Sequence, residues 1–284
     1  LETETWNGTN WTATTNMATP RKRAGGAGAN NTAALAFGGE SPGTFNATEE
    51  WNTGVPIANT WQTGNNLGTG RYRLAGAGTQ TAALAFGGNS SPDALTEYWN
   101  GTNWTEVNDL NAGRKYLAGC GTNTAALAFG GENAGNPVLA LTETWNGSNW
   151  TEVNDLNGAR QKLAGAGTNT AGLAFGSDAV TELWNGTNWT EVNDLNNGRE
   201  ELAGAGASTA ALAFGGSGGA TTGANTETWN GTNWTETGDL NTARSKLAGA
   251  GTNTAALAFG GNPSTAATEE WNTSADVTKT ISTS

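Results

Sequence analysis

Short runs of small and apolar residues recur along the chain, each bounded by glycine and polar positions. Residues 247–251 (LAGAG) and 254–261 (TAALAFGG) are two such runs, separated by Thr-Asn, the pattern of strands buried on both faces and joined by a tight turn. Residues 226–229 (TETW) and 234–237 (WTET) alternate polar and aromatic positions about Asn-Gly-Thr-Asn, the signature of a hairpin. We label these predicted strands a, b, c and d in chain order. No stretch of helix length carries a 3.6-residue apolar period, so the chain reads as all-β.

The four-strand unit repeats. Phe37, Phe86, Phe129, Phe175, Phe214 and Phe259 follow one another at steps of 49, 43, 46, 39 and 45 residues. From the second Trp of a unit (Trp61, Trp104, Trp150, Trp189, Trp234) to the next Phe the distance is always 25 residues, and from Trp11 to Phe37 it is 26. Variation in length falls between the Gly-Gly or Gly-Ser pair and the next strand c, as a surface loop allows. A four-stranded unit with a period of about 45 residues is the blade of a β-propeller. Small residues then suit inner strands crowded around an axis, while Leu257 and Phe259 fill the space between blades. A four-residue loop over residues 7–10 sets Trp6 opposite Trp11, a pair worth about 0.5–1.5 kcal/mol beyond its area.

Complete a-b-c-d sets start near Ala24, Leu74, Leu117, Leu163, Leu202 and Leu247, the last ending with Trp271 and the alternating residues 277–281. The expected architecture is one all-β, six-bladed propeller with four-stranded blades over residues 1–284. Residues 1–20 hold an extra c-d hairpin at the ring closure; seven blades with an incomplete first blade is the alternative. The chain opens with Leu1 inside a repeat motif, which points to processing, truncation or an upstream part.

The order Arg244, small apolar strand, Phe259-Gly260-Gly261, variable loop, Glu227 with Trp229, then Trp234 resembles the kelch repeat over essentially the whole chain. It departs in having Trp where kelch strands c usually carry Tyr, Ala-rich inner strands, and Ser177 for a second Gly. The Asn/Thr/Gly/Ala bias and near-identical units also resemble the kelch-like arrays of marine bacteriophages and seawater bacteria. The first resemblance implies a partner-binding propeller, the second a virion or surface protein.

Composition narrows the chemistry. The 43 glycines and a charged fraction of 13% disfavour an average globular domain, and 13 Trp with 36% apolar residues exclude a disordered chain. A net charge of −12 repels phosphate backbones and anionic membranes, so nucleic acid and membrane insertion are not expected. With no His, the commonest general base and metal ligand is missing, including the ligands that copper oxidases of kelch type need. Cys120 stands where the equivalent positions carry Ala and reads as a small buried hydrophobe. No cofactor or metal is expected.

Arg21, Arg71, Arg114, Arg160, Arg199 and Arg244 hold one equivalent place, three residues before each strand a. A cationic ring there would suit an anionic glycan or carboxylate; six copies favour a structural ring, each Arg pairing with an acid such as Glu227 or Asp239. Asp109, Asp155, Asp194 and Asp239 read as turn formers. Fourteen N-x-S/T sequons occur, mostly in the N-G-T-N-W turn where Asn and Gly have backbone reasons to be. Binding is expected from residues of the b-c loops that break the repeat: Glu40, Ser41, Pro42 and Phe45; Ser91 and Asp93; Asn133, Asn136 and Leu139; Asp178; and Thr222. The expected function is non-enzymatic: a propeller on a virion or cell exterior, binding a host-surface glycan or protein and meeting other virion proteins. The alternatives are an intracellular kelch-type scaffold and a carboxylate-driven polysaccharide hydrolase or lyase.

Overall fold

The computed structural model describes residues 3–6, 11–14, 16–30, 33–52, 60–90, 93–135, 137–218, 223–262 and 268–272. All regular structure among them is strand. A first hairpin pairs β1 (Thr3–Trp6) with β2 (Trp11–Thr14). Five four-stranded blades follow. The first is β3 (Gly25–Asn30), β4 (Ala33–Phe37), β5 (Thr48–Asn52) and β6 (Thr60–Gly64). The second is β7 (Ala75–Thr79), β8 (Ala82–Phe86), β9 (Thr96–Trp99) and β10 (Trp104–Val107). The third is β11 (Ala118–Gly121), β12 (Ala126–Phe129), β13 (Thr142–Trp145) and β14 (Trp150–Val153). The fourth is β15 (Ala164–Gly167), β16 (Gly172–Phe175), β17 (Thr181–Trp184) and β18 (Trp189–Glu191). The fifth is β19 (Ala203–Ala207), β20 (Ala210–Phe214), β21 (Thr226–Trp229) and β22 (Trp234–Glu236). Every blade is an antiparallel meander in the order a-b-c-d.

The remaining sheet differs. It runs β23 (Ala248–Gly251), β24 (Ala255–Phe259), β25 (Thr268–Asn272), then β1 and β2, with β1 parallel to β25 through Glu4 opposite Glu269. The expectation of six four-stranded blades, with seven as the alternative, is therefore corrected: five clear four-stranded blades stand beside one composite sheet of five strands. The cause lies in β1, whose Thr-Glu-Thr-Trp has the alternation of a strand c and occupies the edge of β25, a row of unpaired donors and acceptors that needs covering. Residues 277–281, expected as a fourth strand there, lie outside the described residues.

Inner strands surround a narrow axial channel walled by Gly and Ala from all six sheets, such as Gly119, Cys120 and Gly165. The glycines have a packing reason. A Cβ on Gly165 would lie 2.6 Å from Cζ of Phe129, and one on Gly204 equally close to Phe175. Each strand-b Phe brings the tip of its ring against the inner strand of the next sheet, a contact only Gly permits. The same Phe meets an indole: Phe86 and Trp150 have ring centres 4.9 Å apart. Trp150 in turn donates its Nε1–H to Thr96 Oγ1 of the preceding blade at 3.0 Å, and Trp189 and Trp234 do the same to Thr142 and Thr181. Antiparallel order puts the d-a and b-c connections on one face and the a-b and c-d turns on the other.

Candidate binding face at the channel mouth

Each d-a connection ends in a tripeptide with three jobs. Its first residue is the repeated Arg. Arg71 is fully buried and meets Glu97 of strand c at 3.1 Å, and Arg160 meets Glu182 at 2.7 Å. The other pairs are Arg21–Glu49, Arg114–Glu143, Arg199–Glu227 and Arg244–Glu269. Burial pulls the Arg71 and Arg114 guanidinium pKa below the ordinary arginine value, and Glu97 and Glu143 oppose that pull. The second carboxylate oxygen is used as well: Glu182 Oε2 accepts from Asn157 N and Nδ2 at 2.8 and 2.7 Å. A buried charge persists only with such partners. The arginines are thus enclosed at the blade junctions and do not reach a ligand. Asp109, Asp155, Asp194 and Asp239 each accept from the first N–H of the strand c in their own blade, at 2.9–3.1 Å.

In five of the six connections the second residue of the tripeptide bridges to the residue after Gly-Gly, as Lys115 does to Glu132 and Tyr72 to Asn89. The third turns inward. Arg23, Arg73, Tyr116, Lys162, Glu201 and Lys246 all have φ between +56° and +61°, a left-handed conformation that is uncommon for such side chains. Their backbones form a closed belt. Arg73 N donates to Arg23 O at 2.9 Å, Tyr116 N to Arg73 O at 2.9 Å, and Lys162 N to Tyr116 O at 2.9 Å; Glu201 N, Lys246 N and Arg23 N continue the circuit at 2.8 Å each. The six side chains line a cavity of about 120 Å³ at the channel mouth.

Charge in the mouth is unevenly paired. Arg23 pairs with Glu40 and lies 3.7 Å from Glu201, Lys246 lies 3.4 Å from Glu201, and Lys162 lies 2.9 Å from Glu200. Burial works against the Lys162 ammonium, yet Glu200, with Glu201 and Tyr116, outweighs it and raises the pKa. Arg73 has no carboxylate partner among the described residues. Its guanidinium carbon lies over two rings instead, 4.8 Å from the centre of Tyr72 and 4.3 Å from that of Tyr116.

Of the b-c loop residues expected to bind, Glu40 alone reaches the mouth, through Arg23. Phe45, Asp93, Leu139 and Asp178 prove to be one structural position: the carbonyl of each accepts the N–H of the Arg in the following connection, at 2.9–3.2 Å. Their side chains sit on the rim, Asp178 beside a cleft of about 330 Å³ that the shortest b-c loop leaves open between Ser177, Glu200 and Ser217. Ser41 is half-buried and Pro42 exposed, and Asn133 Oδ1 accepts from Gly135 N at 3.0 Å within its own loop. Ser91, Asn136 and Thr222 lie outside the described residues. Cys120 is buried in the channel wall, its thiol pushed up to about 12 by burial. No group of three or more His, Cys, Asp or Glu is placed to hold a metal among the described residues, and no described helix is long and apolar enough to cross a membrane.

The mouth ring itself escaped the sequence reading. Its signal was present: in RKR, RYR, RKY, RQK, REE and RSK the two residues after a fixed Arg vary between units, and the second of them is Arg, Lys, Tyr or Glu.

No protein-family model and no curated protein matches the chain. Among solved structures it is similar to YjhT, a kelch-type propeller, with a TM-score of 0.71 at 13% identity over 90% of this chain and 95% of that one. At that identity the likeness shows the propeller fold.

Proposed function

We propose that this propeller is a non-enzymatic binding module whose recognition surface is the face made by the d-a and b-c connections. One observation carries the reading: on this face a near-invariant buried frame of Arg–Glu pairs presents side chains that vary between units, Arg, Lys, Tyr or Glu at the mouth and Phe, Asp or Leu along the rim. Variation on a rigid frame is how loops acquire partners without disturbing a fold. The resemblance to marine bacteriophage and seawater bacterial arrays extends the proposal to a virion or cell-surface protein that adsorbs to a host glycan or protein. Val138, exposed on the b-c loop of the third blade, favours a protein surface as the alternative partner.

The test is a glycan array together with a host-cell adsorption assay, using wild type and a variant whose b-c loops are exchanged between blades. Adsorption or array binding that changes with the exchange is expected. Retention unchanged by it removes the face from the proposal, and products released from a polysaccharide panel would replace binding with hydrolase or lyase activity.

A further inference from the structure

We infer that the channel mouth is a site for a single carboxylate group, held by Arg73. The inference rests on the reading of this face as the binding face and adds the chemistry of its centre. Around the mouth four cations, Arg23, Arg73, Lys162 and Lys246, meet three carboxylates, Glu40, Glu200 and Glu201. Arg73 is the cation left over. It is half-buried, its Nε is enclosed without a hydrogen-bond partner, and it borders a cavity of about 120 Å³.

Such an arginine is prepared for an anion in three ways. Its backbone is held at φ +61° by the hydrogen-bonded belt, so the side chain leaves from a set point. Its guanidinium plane is supported by Tyr72 and Tyr116, which limits the rotamer entropy lost on binding. A planar fork with free N–H groups matches a carboxylate in bidentate geometry. The cavity admits several water-sized groups, enough for a carboxylate and the edge of the ring that bears it. One unpaired positive charge balances one negative charge; a phosphate dianion would bring a second charge for which no cation is left over. Because the whole chain carries −12, this local excess of positive charge is a focus and not a general property of the surface.

The experiment is calorimetric titration of the full chain with sodium glucuronate, sodium acetate, glucose and inorganic phosphate. Glucuronate and acetate are expected to bind with affinity that falls as salt is added, and glucose and phosphate more weakly. Arg73→Asn, chosen because Asn tolerates a left-handed backbone, is expected to weaken glucuronate binding by about tenfold or more. Glu201→Gln, which frees Lys246 and leaves Arg23 with Glu40 alone, is expected to tighten it several-fold, a gain that a damaged fold does not produce. Glucuronate binding that is absent in wild type, or equal in wild type and Arg73→Asn, overturns the inference. Loop-dependent adsorption with no carboxylate binding removes the mouth site and leaves the binding face standing; carboxylate binding lost in Arg73→Asn, without any array or cell retention, does the reverse.

Discussion

At the residue scale, one irregularity is answered by another. Cys120 is larger than the Ala its equivalents carry, and across the interface Gly172 replaces the Ala found in the other strands b. A Cβ on Gly172 would stand 3.4 Å from the Cys120 sulfur and 3.2 Å from Cδ2 of Leu127. Gly172→Ala is expected to destabilise by about 1 kcal/mol or more through overpacking, and Cys120→Ala to recover part of that loss; additive changes in a urea-denaturation cycle would show that the two positions do not share the space. The buried carboxylates tolerate less. Glu182→Gln leaves Arg160 charged and enclosed, and a loss of about 3–5 kcal/mol in unfolding free energy is expected. A loss under about 1 kcal/mol would mean that the pair adds little to the frame. Which acid would pair with the repeated Arg was not legible in the sequence, because Glu227 and Asp239 both recur at fixed offsets and only the three-dimensional path separates strand c from the d-a turn. The sulfur site was half legible: Cys120 stood out as an exception, while Gly172 took meaning only when the neighbouring sheet was in place.

At the scale of elements, the hairpins do what their alternation indicates. Trp99 lies opposite Trp104 and Trp145 opposite Trp150, with ring centres 5.4 and 5.5 Å apart. The turn between them is closed by Asn100 Oδ1 accepting from Thr102 N and Asn103 N, with Gly101 at φ +89°. What the local pattern could not convey is that the second Trp reaches a different blade. Trp150→Phe keeps most of the apolar volume and leaves the buried Thr96 hydroxyl without its donor, so a cost of about 1–3 kcal/mol is expected by chemical denaturation. Thr96→Val added to it should restore part of the loss, since a matched apolar pair leaves nothing unsatisfied. Outside these, Asn108 Nδ2 bonds Ser148 O and Asn149 Oδ1 of the next blade at 3.0 and 2.8 Å, and Asn154 and Asn193 repeat the contact. This explains the Asn of Val-Asn-Asp-Leu, which periodicity leaves unassigned.

For the molecule as a whole, repeat length, strand order and the side of variable loops followed from the Trp and Phe spacing. The hairpin of the first residues was expected at the ring closure, but its parallel pairing with β25 was not, since a parallel pairing between distant segments leaves no mark in either one. Removing residues 1–14 uncovers the edge of β25. The shortened chain is expected to melt at lower temperature and to associate as concentration rises, measured by calorimetry and light scattering; unchanged melting and a monodisperse species would show the hairpin to be dispensable to closure.

The circular belt of amides has a consequence for how such a protein changes. Since each of its N–H and C=O groups is already spent on the neighbouring link, closure asks of the six side chains only that they accept a left-handed backbone. Exchanging one unit for another therefore changes the side chains at the entrance while the annulus stays shut.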